Sequence, residues 1–83
     1  MAPVDIHYFL VAIVARDNPR HWRRQLLAFP TQASQGRFRE YLANNAGAQL
    51  TGDWYILPNG NSVRDAVTRA RTELAFVYDL PRV

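Results

Sequence analysis

Leu26-Leu27-Ala28-Phe29-Pro30-Thr31, Ser34-Gln35-Gly36-Arg37-Phe38-Arg39, Gly47-Ala48-Gln49-Leu50 and Gly52-Asp53-Trp54-Tyr55-Ile56-Leu57-Pro58 decide the fold of this chain. In order they read strand, helix, hairpin. The first is an apolar run stopped by a proline, which cannot donate to a ladder and holds the residue before it extended. Phe38, Tyr41 and Leu42 recur at i, i+3 and i+4, so the segment opened by Ser34 predicts a helix with one apolar stripe, capped by Ser34. Asn44, Asn45 and Gly47 end it. Gly52-Asp53 is a two-residue hairpin signal between Ala48 to Thr51 and Trp54 to Leu57.

Working outward, Pro58-Asn59-Gly60-Asn61 reads as a turn, and Ser62 as the cap of a second helix with Asp65 at the capping-box position. Val63, Ala66, Val67, Ala70 and Leu74 line its inner face. On the outer face Asp65 with Arg69, and Arg69 with Glu73, have the i,i+4 spacing of solvated ion pairs. Phe76, Tyr78 and Leu80 alternate with Val77 and Asp79 as a closing strand ended by Pro81. Residues 25–80 thus follow a βαββαβ plan, which is the α+β, ferredoxin-like arrangement.

Ahead of that core, Ile6 to Ala15 is rich in β-branched and aromatic residues and too uniformly apolar for an amphipathic helix. It predicts an additional N-terminal strand covered on both faces. What joins it to the core is open. Asp17-Asn18-Pro19 can start a short helix over residues 19–28, or the basic stretch is a loop feeding a strand at Gln25 to Phe29. Either residues 6–15 or residues 25–29 can therefore be the first strand of the core. No repeat or linker interrupts the chain, so one domain is expected over residues 1–83, with residues 1–24 as its N-terminal extension.

A domain of 83 residues buries only about 60–65% of its unfolded surface, and pairing with a second copy is the natural way to add core. A homodimer is the expected state. The absence of cysteine excludes disulfides, thiolate metal sites and thiol redox chemistry. His7 and His21 lack ligand spacing, so neither a metal nor another cofactor is expected. All ten basic residues are arginine, and the net charge of +3 permits an anionic partner without demanding one. Met1 to Asp5 lacks the basic opening of a secretory signal, and the apolar run from Ile6 is about half the length that spans a bilayer. A cytoplasmic location away from the membrane is the expectation.

Arg20-His21-Trp22-Arg23-Arg24 interleaves arginines with an aromatic, which suits a phosphate backbone with stacking on a base; it equally suits a solvated connector with Trp22 buried. Arg37 and Arg39 fall near a helix start, where amides already favour a phosphate or another oxyanion. Pairing with Glu40 or Asp53 is the structural alternative. Trp54 and Tyr55 point to opposite sides of one strand, so one of them meets the sheet face that helices leave open. Dimer packing explains an aromatic there better than base stacking, and Tyr8, Phe9 and Tyr78 can extend the same interface.

Catalysis finds little footing. A metal-dependent nuclease needs carboxylates to hold its ion, and Phe29-Pro30, at the end of one candidate first strand, supplies none. Asp17 would serve if residues 6–15 were that strand, but in Asp-Asn-Pro it reads as a helix cap. Thr31, Ser34 and Ser62 have no histidine at nearby spacing to activate them. The chain is not expected to be an enzyme.

The residues quoted at the outset, from Leu26 to Pro58, with the helix continuing to about Ala75, resemble the amino-terminal domain of the chromate resistance regulator family. Arg37-Phe38-Arg39, Gly47-Ala48 and the Gly52-to-Pro58 hairpin carry the likeness. The resemblance implies a ferredoxin-like domain related in shape to Cas2-like domains, acting as a non-enzymatic module that dimerises, or touches DNA or an anion, in transcription regulation. Two other roles fit the residues: a small arginine-rich nucleic-acid-binding protein of Cas2-like shape, and a small protein that acts by binding another.

Overall fold

In the computed structural model, which describes residues 8–16 and 24–80, the order is β1 (Phe9–Ala15), β2 (Arg24–Phe29), α1 (Gln32–Asn45), β3 (Gln49–Thr51), β4 (Trp54–Leu57), α2 (Gly60–Thr72) and β5 (Phe76–Leu80). The expectations for Ile6, His7, Asp17, Arg20, His21, Trp22, Arg23 and Pro81 lie outside the described residues. β2 replaces the helix considered over residues 19–28, at least from Arg24 onward. Gln25, Leu26, Leu27 and Phe29 are better placed in an apolar ladder than on one side of a short helix.

The fold is α+β, with a five-stranded mixed sheet in the order β3-β4-β1-β2-β5. This corrects the ferredoxin-like order expected for the sheet. β1 pairs antiparallel with β2 and parallel with β4, from Ala12↔Trp54 to Ala15↔Leu57, and so separates the two strands that would otherwise be central neighbours. Leaving β1 out, the others follow as β3-β4-β2-β5. The additional N-terminal strand is inserted in the middle. Its composition suits that place, since so apolar a strand loses least when both of its edges are paired; of the two faces expected to be covered, however, helices among the described residues cover one, and Leu10 on the other is half exposed.

Register sorts the sheet into two faces. Phe9, Val11, Ile13 and Ala15 align with Leu27, Phe29, Tyr55, Leu57 and Val77 on one of them. Both helices pack there. Phe38 and Leu42 of α1, with Val63, Ala66, Val67 and Ala70 of α2, form a single cluster with Val11, Ile13, Leu27, Phe29 and Leu57. Phe38 is the keystone, with its ring 5.0 Å from Phe29 and 6.0 Å from Tyr41 between centroids. Leu74, expected on the inner stripe of α2, instead lies past the helix end and is 75% exposed.

Both helix starts sit three residues earlier than the serines predicted. Thr31 caps α1, its Oγ1 accepting the Ser34 N–H at 3.0 Å, and Asn59 caps α2, its Oδ1 accepting the Ser62 N–H at 2.8 Å. Ser62 Oγ accepts the Asn59 N–H in return, so the capping box is Asn59 with Ser62 rather than Ser62 with Asp65. At the other ends, Gly47 (φ +63) follows the α1 cap, and Gly52 (φ +59) opens the β3–β4 turn as anticipated.

Candidate interaction face

The second sheet face carries no helix among the described residues. Cross-strand register lays its side chains in rows: Leu10, Ala28 and Phe76; Thr51, Trp54, Ala12, Leu26 and Tyr78; Gln49, Ile56, Val14 and Arg24. Arg24 is the single charge in these rows. The large apolar groups are not evenly exposed. Leu10 (50%), Phe76 (54%) and Tyr78 (53%) are open, as is Tyr8 (41%), whereas Val14 and Ala28 beneath them are buried. Tyr8 meets Phe76 edge to face, centroids 5.7 Å apart at 83°. The exposed patch therefore concentrates on β5 and the beginning of β1. Four half-exposed side chains of this size present roughly 400 Å² of mostly apolar surface, the size of the largest patch on a typical monomer, which is often a functional one.

The predicted interface residues divide between the faces. Trp54 is half-buried on the open face, with the Arg24 guanidinium 5.7 Å above its ring. Tyr78 and Tyr8 lie on the same side. Tyr55, one position along, packs against the core under the helices, as does Phe9, and neither is available to that face. Leu10 and Phe76 were missed as interface residues because their exposure depends on which strands flank them, and that is a matter of topology. Leu10 aligns with Ala28, and Ala28 with Phe76.

Among the described residues, the predicted arginines do not converge. Arg24 is on the open face, whereas Arg37 and Arg39 are exposed on α1, in the helical layer on the other side of the sheet. Arg37 pairs with neither Glu40 nor Asp53. Its Nη2 lies 2.9 Å from Glu73 Oε2 and its Nε donates to the same oxygen at 3.0 Å, while Arg69 approaches the other carboxylate oxygen at 4.0 Å. The hydrogen bond from Arg37, aided by both positive charges, holds the Glu73 carboxyl below its ordinary value. The same bond raises Arg37. Arg69 also stands over the Tyr41 ring at 5.7 Å. Among the described residues, Asp65 makes no ion pair with Arg69.

Two depressions are lined by described residues. One of about 420 Å³ runs along Leu10, Ala12, Leu26, Leu50 and Tyr55, with Arg39 and Asp53 at its rim. It exists because β4 begins pairing with β1 only at Ala12, leaving the earlier residues of β1 without a neighbour on that side. Gln35 Nε2 of α1 donates to the Leu10 carbonyl at 2.9 Å and so occupies part of the gap. The other, about 320 Å³, is a notch lined by Arg37, Glu40, Tyr41, Asn44 and Arg69. Among the described residues, no group of three or more His, Asp or Glu side chains is placed to hold a metal. No helix among them is long and apolar enough to cross a membrane.

In comparison with known proteins, no family model, curated protein or solved structure matches this chain.

Proposed function

We propose that this chain is a non-enzymatic self-association module that pairs with a second copy of itself through the β5 side of its open sheet face. The observation that carries the reading is the segregation of charge. The exposed aromatics Tyr8, Phe76 and Tyr78 stand on a face whose rows hold one arginine, while Arg37, Arg39, Arg64, Arg69 and Arg71 belong to the helices. A surface that tracks phosphates needs several cations beside its stacking platforms; among the described residues this one has Arg24 over Trp54 and Arg16 on Gln49, while the five helical arginines lie on the opposite layer. A protein partner needs the reverse, an apolar centre with charge kept to the rim. The second copy is favoured because β5, which carries Phe76 and Tyr78, is an edge strand with no further strand beside it among the described residues, and an antiparallel edge is complementary to a second copy of itself. The resemblance of the block from Leu26 to about Ala75 to chromate resistance regulators gives such pairing a setting, as the dimerisation element of a gene-control protein.

Light scattering across a micromolar concentration range tests the reading, alongside titration with a single-stranded oligonucleotide. Self-association that persists or strengthens with salt is expected, with oligonucleotide binding no tighter than about 10⁻⁴ M at physiological salt. A monomer that binds the oligonucleotide tightly, with an affinity falling steeply as salt rises, would replace it with the nucleic-acid reading.

A further inference from the structure

β5 is an edge strand whose outer backbone groups have no partner among the described residues. Natural edges are guarded by lysine, proline, bulges, shortness or inward charges. The opposite edge, β3, follows that practice, with three residues, Gln49–Thr51, beside a Gly-Asp turn, and with Gln49 held by the Arg16 guanidinium. β5 does not. It has five residues, Phe-Val-Tyr-Asp-Leu, and its only charge, Asp79, accepts a hydrogen bond from Gln25 Nε2 at 2.9 Å on the neighbouring strand. The carboxylate is thereby drawn back toward β2. The strand is left as an open template, with its two half-exposed aromatics, Phe76 and Tyr78, at the edge.

Resting on the self-association reading, we infer that two copies join by antiparallel pairing of β5 with β5 of the partner, about a twofold axis at Tyr78, to make one continuous sheet across the dimer. The register follows from length. Antiparallel self-pairing that uses all of Phe76–Leu80 must centre on the middle residue. Tyr78 then stands opposite itself, Phe76 opposite the second copy's position 80, and Val77 opposite its position 79. Because side chains alternate, the open faces of the two copies become one face. The Tyr78 rings form a cross-strand aromatic pair at the seam, an arrangement that adds to sheet stability. The contact is isologous and closes on itself, so it gives a dimer rather than a filament.

The chain has no cysteine, so introduced thiols report on the contact without interference. Directly opposed residues of an antiparallel pair have Cα atoms about 4.5–5.5 Å apart, within the span that a disulfide bridges. Tyr78→Cys under mild oxidation is expected to give a covalent dimer roughly tenfold or more faster than Leu50→Cys on the β3 edge. A mixture of Val77→Cys and Asp79→Cys chains should cross-link with each other in preference to themselves. Circular dichroism confirms that each variant is folded. If the protein is a dimer but Leu10→Cys cross-links while Tyr78→Cys and the mixed pair do not, the copies are stacked face to face and edge pairing is overturned. A wild-type chain that stays monomeric, with none of the variants cross-linking, overturns self-association itself.

Discussion

Arg37 on α1 and Glu73 at the cap of α2 close a bridge of 2.9 Å between the two helices, and Arg69 reaches the same carboxylate from within α2. Glu73 is the more sheltered partner, its side chain 13% exposed against 56% for Arg37. The hydrogen bond lowers the carboxyl below its ordinary value, so between its folded and unfolded values the unfolded chain binds more protons and stability rises with pH. The contribution is complete above the ordinary glutamate value of about 4.3 and is lost as pH falls through the folded value. Glu73→Gln is expected to melt slightly below wild type at pH 7, with the two curves converging in acid. A difference that stays constant down to pH 2 would mean that Glu73 acts through packing and not through its charge.

Leu74 adopts φ +63 immediately after α2, where the Ala75 N–H bonds back to the Ala70 carbonyl and the Leu74 N–H to that of Arg71. This is the helix-ending motif in which glycine is usual, because a Cβ there costs roughly 1–2 kcal/mol. With the side chain 75% exposed, little burial offsets the strain. Leu74→Gly should therefore stabilise the chain by about 1 kcal/mol, or roughly 4–8 °C for a domain of this size, in thermal melts at low concentration. Loss of stability instead would show that the leucine makes a contact worth more than its strain.

The cap positions give a matched pair of substitutions. Asn59→Ala removes the acceptor of the Ser62 N–H and should cost about 1 kcal/mol in urea unfolding. Asp65→Ala alters an exposed side chain that bonds to no described residue, and should stay within about 0.5 kcal/mol of wild type. The opposite ranking would return the cap to Ser62.

These two residues also mark how far the sequence could be read. The existence of both helices, the Gly52-Asp53 hairpin and β5 follow from local periodicity and turn chemistry. The cap shift does not, because a serine three residues into a helix looks the same as a serine at its cap until the reciprocal Asn59 bond is in view. Leu74 continues the stripe of Ala66 and Ala70 at helical spacing, and no local signal ends the helix before it. The central place of β1 depends on Ala12 finding Trp54, far along the chain, although a run apolar on both faces was already a sign of a central strand. Exposure of Leu10 and Phe76 inherits that same long-range pairing. Of the aromatics foreseen as interface, alternation alone could say that Trp54 and Tyr55 part company but not which faced outward.

Sedimentation equilibrium of the wild-type chain beside Phe76→Glu tests the central claim most directly. Phe76 is about half exposed, so the substitution leaves the core cluster intact and places a charge in the middle of the patch. The account predicts a wild-type mass that climbs to that of two chains at micromolar concentration, and a variant that remains folded with the mass of one. A wild-type chain that stays monomeric throughout, or a variant that associates as strongly as wild type, would contradict it.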